Sequence, residues 1–487
     1  MRKGLTGLTD TRLFRAFSHI GGRWTGATNG ATIAVTNPAN GDWLGEVPAL
    51  SAADSAKAVD AAQAAFGPWA GLTPQGRSVL LRRWFDLIVE NAEDLALIMV
   101  QEQGKPLSEA RGEMAYAASF VEFYAEEAKR PNIEGVTSHL ADGEVEVWRE
   151  PLGVAALITP WNFPSAMLTR KAAAALAAGC TVVAHPSAET PFSALALAEL
   201  AERAGLPGGV FNVVTGHAPT VVAPWMADRR VRAVSFTGST EIGKLLYRQG
   251  AETVKRLVLE LGGHAPFLLF ADANQEQAVG EAIKAKFATS GQDCLGANRF
   301  LVERSVYDAF VAEFAKRTAA LTVGEGMADP DIGPLMNEKA VAKQEEQVAD
   351  ALAKGARLVV GGKRHAKGPL FFEPTVLADV PPDALIMTEE TFGPIAAIAP
   401  FDTEEEALTR ANATEYGLVA YLHSECPRRI YRASRALQFG MVAVNRAQVT
   451  GAPIPFGGTK QSGLGREGSR LGLEAFTEVK YVCRDWS

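Results

Sequence analysis

Two side chains stand out as suited to covalent chemistry: the cysteine of Gly291-Gln292-Asp293-Cys294-Leu295-Gly296 and the glutamate of Leu259-Glu260-Leu261-Gly262-Gly263. A thiolate attacks a carbonyl carbon readily, and a nearby carboxylate can take a proton from the thiol or from a water. A lone cysteine is commonly no more than a small buried apolar residue, so its type alone decides nothing. The surrounding glycines and several other stretches of the chain bear on its role.

Pro160-Trp161-Asn162-Phe163-Pro164 holds a Trp and an Asn in one turn between two prolines. An Asn amide there is a suitable donor to a developing oxyanion, and a rigid structural turn is the plainer alternative. Phe236-Thr237-Gly238-Ser239-Thr240-Glu241-Ile242-Gly243 follows a strand and opens a helix. Its glycines would let backbone amides and the helix N-terminus approach a pyrophosphate, although the spacing departs from the usual dinucleotide fingerprint. His185-Pro186-Ser187-Ala188 follows another strand and could reach a ribose. In Glu389-Glu390-Thr391-Phe392-Gly393-Pro394 a carboxylate could hold a ribose through its hydroxyls, where a surface acid pair is the simple reading. Residues 455–467 are too rich in glycine for the interior of an element and read as a loop.

These stretches need elements to position them. Strand–helix alternation runs from Val154–Ile158 through an Ala-rich helix ending near Gly179, a strand at 180–184, a helix closing at Gly205, and strands at 211–214 and 231–236. A second series covers 260–445. Repeated β–α units imply parallel sheets covered on both faces, with ligands bound beyond the carboxyl ends of the strands. Upstream, Ser51 and Asp54 form a capping-box pattern for a helix expected to end near Gly67-Pro68. Apolar residues at helical spacing fill 73–103, and another helix is expected over 107–130, bounded by Pro131. Arg82, Arg83, Glu90 and Glu93 read as a solvated face. Polar–apolar alternation over 144–150 and 476–482 predicts two strands of a small separate sheet, at a subunit contact.

With 487 residues, 47% of them hydrophobic and 21% charged, the chain suits a multidomain globular enzyme. A net charge of −8 and dispersed basic residues give no support to nucleic-acid binding. No apolar run reaches the roughly eighteen residues of a membrane helix. The first 21 residues lack the apolar core of a signal peptide. Cys180, Cys294, Cys426 and Cys483 are widely spaced, without metal-binding pattern, which suits free thiols and a cytoplasmic location.

Taken in order, the motifs around Asn162, Gly238, Glu260, Cys294, Glu390 and Phe456 resemble those of the aldehyde dehydrogenase superfamily over residues 20 to 485. Thr169-Arg170-Lys171, residues 209–216 and residues 462–469 are most similar to its succinate-semialdehyde dehydrogenase branch. The resemblance implies an α/β fold: an NAD(P)-binding Rossmann-like domain (1–130 and 151–259), an α/β catalytic domain (260–450), and a small β oligomerisation arm with the C-terminal strand (131–150 and 451–487). It implies a homodimer or homotetramer acting on a small aldehyde, with no metal.

Cys294 would attack the aldehyde, Asn162 and the Cys294 amide would hold the oxyanion, and Glu260 would activate the hydrolytic water. Trp161, His185, Ser187, Ala188, Phe236, Gly238, Ser239, Leu261, Glu390 and Phe392 would hold the cofactor, and Arg170 with Phe456 the substrate.

Departures from the family pattern are informative. His185 stands where lysine is usual, and Ala188 where NAD-specific members often have glutamate, which makes NADP admissible and tips the expectation slightly towards it. Ala288 replaces a second arginine expected for a substrate carboxylate, so Arg170 is left as the one matching cation. Gly296 occupies the place of a second cysteine, so no thiol switch is expected there. The resulting expectation is oxidation of succinate semialdehyde or a similar aldehyde to an acid. A neutral aldehyde substrate, a thiol esterase using the same cysteine, and a non-catalytic scaffold are the rivals.

Overall fold

The computed structural model describes residues 4–130 and 132–485; Pro131, expected to end a helix, lies outside them. Two large sheets organise the chain. The first orders its strands Gly463–Leu464, Arg256–Glu260, Val231–Thr237, Val154–Ile158, Thr181–His185, Phe211–Val213, Ser18–Ile20 and Arg23–Thr25. The run from Arg256–Glu260 to Phe211–Val213 is parallel, and antiparallel strands close both edges. Continuous Val/Ala/Leu runs such as Val154–Ile158 suit burial on both faces, and helices including Ala52–Ala70, Ala166–Ala178 and Pro191–Ala204 cover them.

The second sheet runs Arg357–Val360, Thr375–Ala378, Ile395–Phe401, Ala297–Glu303, Ala265–Leu269, Val419–His423, Met441–Val444, parallel except for its first pair. Its two faces pack separate apolar cores, one around Phe267, Phe300 and Phe314, the other around Leu301, Leu377 and Leu422. A three-stranded sheet stands apart: Thr477–Asp485 pairs antiparallel with Gly143–Pro151, which pairs with Ile133–Val136.

Local departures from the sequence reading have physical causes. The first long helix continues through Pro68 to Ala70, because Trp69 is buried and its Nε1 donates to the Leu176 carbonyl at 3.2 Å. That anchoring outweighs the amide missing at Pro68, which lies in the last turn, where Gly71 closes the helix by donating to the Gly67 carbonyl. The apolar run over 73–103 is two helices, Pro74–Glu90 and Ala92–Gln103, broken at Asn91, whose side chain donates to the Leu87 carbonyl at 2.8 Å. The strand expected from Thr391 begins only at Ile395. Phe392 is left-handed (φ 51°) and Pro394 has no amide to donate, so residues 391–394 stay outside the ladder.

Candidate active site

Adjacent strands of the first sheet end in the site loops. Glu260 ends Arg256–Glu260, Gly238 follows Val231–Thr237, Pro160 follows Val154–Ile158, and His185 ends Thr181–His185. Cys294 lies just before the strand Ala297–Glu303 of the second sheet, in a loop packed against Gly263, shortly after the strand that Glu260 ends.

The cysteine loop is tightly determined. Thr289, Ser290 and Gly291 are all left-handed, with φ of 50°, 57° and 72°. The Thr289 amide donates to Glu109 at 2.9 Å, and Ser290 Oγ donates to the Gly333 carbonyl at 3.1 Å. A Cβ on Gly291 would lie 2.2 Å from the Gly393 carbonyl oxygen, so only glycine lets this loop touch the turn that carries Glu390. A Cβ on Gly263 would likewise meet the Cys294 carbonyl oxygen at 2.3 Å. Asn162 Nδ2 donates to the Gln292 carbonyl at 3.0 Å, joining the Trp161–Phe163 turn to the same loop.

Cys294, Asn162, Trp161, Gly238, Ser239, Leu261, Glu390 and Phe392 line one cavity of about 500 Å³. Ser239 caps the helix Thr240–Ala251, accepting from the Ile242 amide, which leaves a helix N-terminus facing that space. Glu390 accepts from the Gly263 amide at 2.8 Å, and burial pushes its carboxyl up to about 7. A helix N-terminus, a glycine and a carboxylate lining one cavity are a set of groups that suits a nicotinamide dinucleotide.

The remaining expected cofactor residues are distributed differently. Phe236 is buried against Gly238, outside the cavity lining. His185 is buried, its Nδ1 is 2.9 Å from the Val214 carbonyl, and burial lowers its pKa to about 4, so it brings no positive charge. Ser187 Oγ donates to Glu189, and Ala188 and Glu189 line a different cavity of about 880 Å³ beside residues 33–41.

Glu260 is buried, and neither carboxylate oxygen has a hydrogen-bond partner among the described residues. Burial and then Glu467 push its carboxyl well above the ordinary range, against the pull of Arg170 and Lys171. Burial, with Asp293 and Glu390, likewise raises the Cys294 thiol well above its usual range, while Arg170 draws it down. The arrangement can therefore hold a neutral acid and thiol at rest and draw on both as proton carriers during a reaction.

Arg170, on the helix Ala166–Ala178, is buried; its Nε donates to Glu467 at 2.6 Å, and its guanidinium lies 4.1 Å from the centre of the Phe456 ring. Its Nη1 has no hydrogen-bond partner among the described residues.

Lys105 and Glu113 are not singled out in the sequence, and Lys171 and Glu467 appear there only within motifs, with no role assigned. Lys171 and Ser235 also donate to Glu467. Lys105 Nζ donates to Glu113 at 2.5 Å and to the Asn162 backbone carbonyl at 2.8 Å, while Glu113 accepts from the Ser165 and Ala166 amides at 3.0 and 3.1 Å. Apart from the Lys105–Glu113 pair, these contacts join distant segments, so no local signal marks them.

The fold and the residues gathered in this cavity suit a nicotinamide-linked oxidoreductase; residues 24–482 match the aldehyde dehydrogenase family, and the chain belongs to it. It is an NAD(P)-dependent aldehyde dehydrogenase, oxidising an aldehyde to a carboxylic acid. It is 52% identical to an aspartate-semialdehyde dehydrogenase (non-phosphorylating) of Halomonas elongata, covering 98% of this chain and 97% of that one. It is 51% identical to the NADP(+) succinate-semialdehyde dehydrogenase GabD of Escherichia coli, covering 98% and 99%. The crystal structure of succinate-semialdehyde dehydrogenase from Burkholderia pseudomallei matches with a TM-score of 0.98 at 50% identity, over 99% of this chain and 100% of that one.

Proposed function

We propose that this enzyme oxidises a small semialdehyde, an aldehyde with an acidic group at its far end, and that Arg170 receives that group. The observation that carries the proposal is the buried Arg170 guanidinium, near the Tyr116 phenol and near enough to influence the Cys294 thiol; its Nη1 has no hydrogen-bond partner among the described residues. A buried donor without a partner is costly, and a substrate carboxylate would satisfy it. The relatives named for aspartate semialdehyde and succinate semialdehyde support the same substrate class.

In this reading the Cys294 sulfur attacks the aldehyde carbon as its proton leaves, and the oxyanion is held by Asn162 Nδ2 and the Cys294 amide. NAD(P), when bound, supplies the hydride acceptor. Loss of hydride from the thiohemiacetal leaves a thioester on Cys294. Glu260 takes a proton from water, the water oxygen attacks the thioester, and the acid departs with the thiol restored. Gly238 and Ser239 hold the pyrophosphate and Glu390 a ribose. Four free cysteines suit the cytoplasm, and the exposed apolar residues Val479 and Tyr481 on the small sheet suit a homodimer or homotetramer.

Substrate choice is tested with Arg170→Met. It should raise KM for succinate semialdehyde far more than for butanal, whereas equal effects on both would remove the carboxylate role.

A further inference from the structure

A second cavity, of about 600 Å³, reaches the cysteine loop at Asp293 and Leu295, on either side of Cys294, and shares no lining residue with the cavity described above. Ala288 forms part of its wall, and the small side chain leaves this side open. Residues 445–450 form another part, and that segment is firmly held. Asn445 accepts from the Ser424 amide and donates to the Ser424 carbonyl, at 3.0 and 2.9 Å, and the Ala447 amide donates to Glu281 at 2.7 Å. Ala447 and Val449 pack against the core of the second sheet, while Arg446 and Gln448 are exposed.

The charges around this cavity are unequally matched. Glu281 is satisfied by Lys284 at 2.9 Å and by the Ala447 amide, so Lys284 is occupied as well. The Asp293 carboxylate accepts from the Leu295 amide. Arg446 has no hydrogen bond or ion pair with any described residue, and it is the uncompensated cation of the wall. Thr450, at the far end of the same segment, approaches the Tyr116 phenol, which also faces Arg170. The segment thus runs from the neighbourhood of the buried arginine to an exposed one.

We propose that Arg446 is an outer anion-binding residue, taking the acidic group of semialdehydes longer than succinate semialdehyde. This rests on the semialdehyde reading above. Arg170 is enclosed and already paired with Glu467, so it suits a short chain. A longer chain directs its carboxylate outward past Ala288, where a guanidinium can pair with it in bidentate fashion and also draw anions towards the opening.

The test measures kcat and KM for succinate, glutarate and adipate semialdehydes and for hexanal, with the full-length enzyme and its Arg446→Gln and Arg446→Glu variants. Arg446→Gln should raise KM for glutarate and adipate semialdehydes about tenfold, the scale of one lost charge-assisted contact. It should leave kcat, succinate semialdehyde and hexanal nearly unchanged, and Arg446→Glu should be more severe. Added salt should narrow the gap between wild type and Arg446→Gln. Unchanged KM for the longer acids, or an equal rise for hexanal or succinate semialdehyde, overturns the role of Arg446 and leaves the semialdehyde reading standing. A wild-type enzyme with no preference for acidic over neutral aldehydes overturns both.

Discussion

Lys105 holds the backbone of Asn162 rather than its side chain: Nζ donates to the Asn162 carbonyl at 2.8 Å, leaving Nδ2 to reach the Gln292 carbonyl. The ammonium also pairs with buried Glu113 and lies 4.1 Å from the centre of the Phe163 ring. One lysine thus clamps the turn that carries Asn162, the proposed oxyanion donor, from a helix junction far away in sequence. Replacing it with Met should cost about 3–5 kcal/mol, the usual consequence of leaving a buried carboxylate unpaired. Thermal unfolding measures this directly. The double variant Lys105→Met with Glu113→Gln should recover part of the loss, while kcat stays depressed because the Asn162 turn has lost its anchor.

Proton affinity at the site predicts a pH dependence. Cys294 and Glu260 are both pushed well above their ordinary ranges, principally by burial, so the thiolate and carboxylate become available only as pH rises. The rate of Cys294 alkylation by iodoacetamide should climb through pH 7 to 9, and kcat should fall on the acid side as Glu260 stays protonated. Mass spectrometry of the labelled cysteine and a pH–rate profile check the two arms. A flat alkylation profile would contradict the first.

Glu467 links Arg170 to the buried acid Glu260. Burial alone would raise its carboxyl, but Lys171 and Arg170 outweigh that and hold it below the usual range, so it is ionised. Glu467→Gln should remove the negative charge that disfavours ionised Glu260, shifting the acid limb of the kcat profile to lower pH. It should also destabilise the fold by about 3–5 kcal/mol, since two buried cations lose their counter-ion.

A backbone contact gives the sharpest steric prediction. Gly263→Ala would bring a Cβ to within 2.3 Å of the Cys294 carbonyl oxygen, so the cysteine loop must move. Activity should fall by at least about a hundredfold, as expected when a reacting group is displaced by roughly 1 Å. Circular dichroism and the initial rate together separate this from unfolding.

Much of this geometry was legible in the chain because it is local. Val154–Ile158 and Thr181–His185 are short apolar runs followed by irregular loops, and Cys294 sits among glycines that only a close approach explains. The unread part is non-local. Lys105 and Glu113, or Lys171 and Glu467, look like solvated charges until the fold closes around them. His185 could be placed at a strand end, yet nothing in its neighbours shows that its ring turns inward to the Val214 carbonyl. Trp69 carries its helix past Pro68 through a partner, Leu176, that lies on another helix.

The Cys294 sulfur is the atom proposed to bond to the aldehyde carbon. The most direct measurement is mass spectrometry of the enzyme quenched during turnover of succinate semialdehyde, with reduced-cofactor formation followed in parallel for wild type and Cys294→Ala. A succinyl adduct on Cys294, together with a folded Cys294→Ala variant that reduces no cofactor, is the predicted result. Cofactor reduction by Cys294→Ala at a rate near that of the wild type would contradict it.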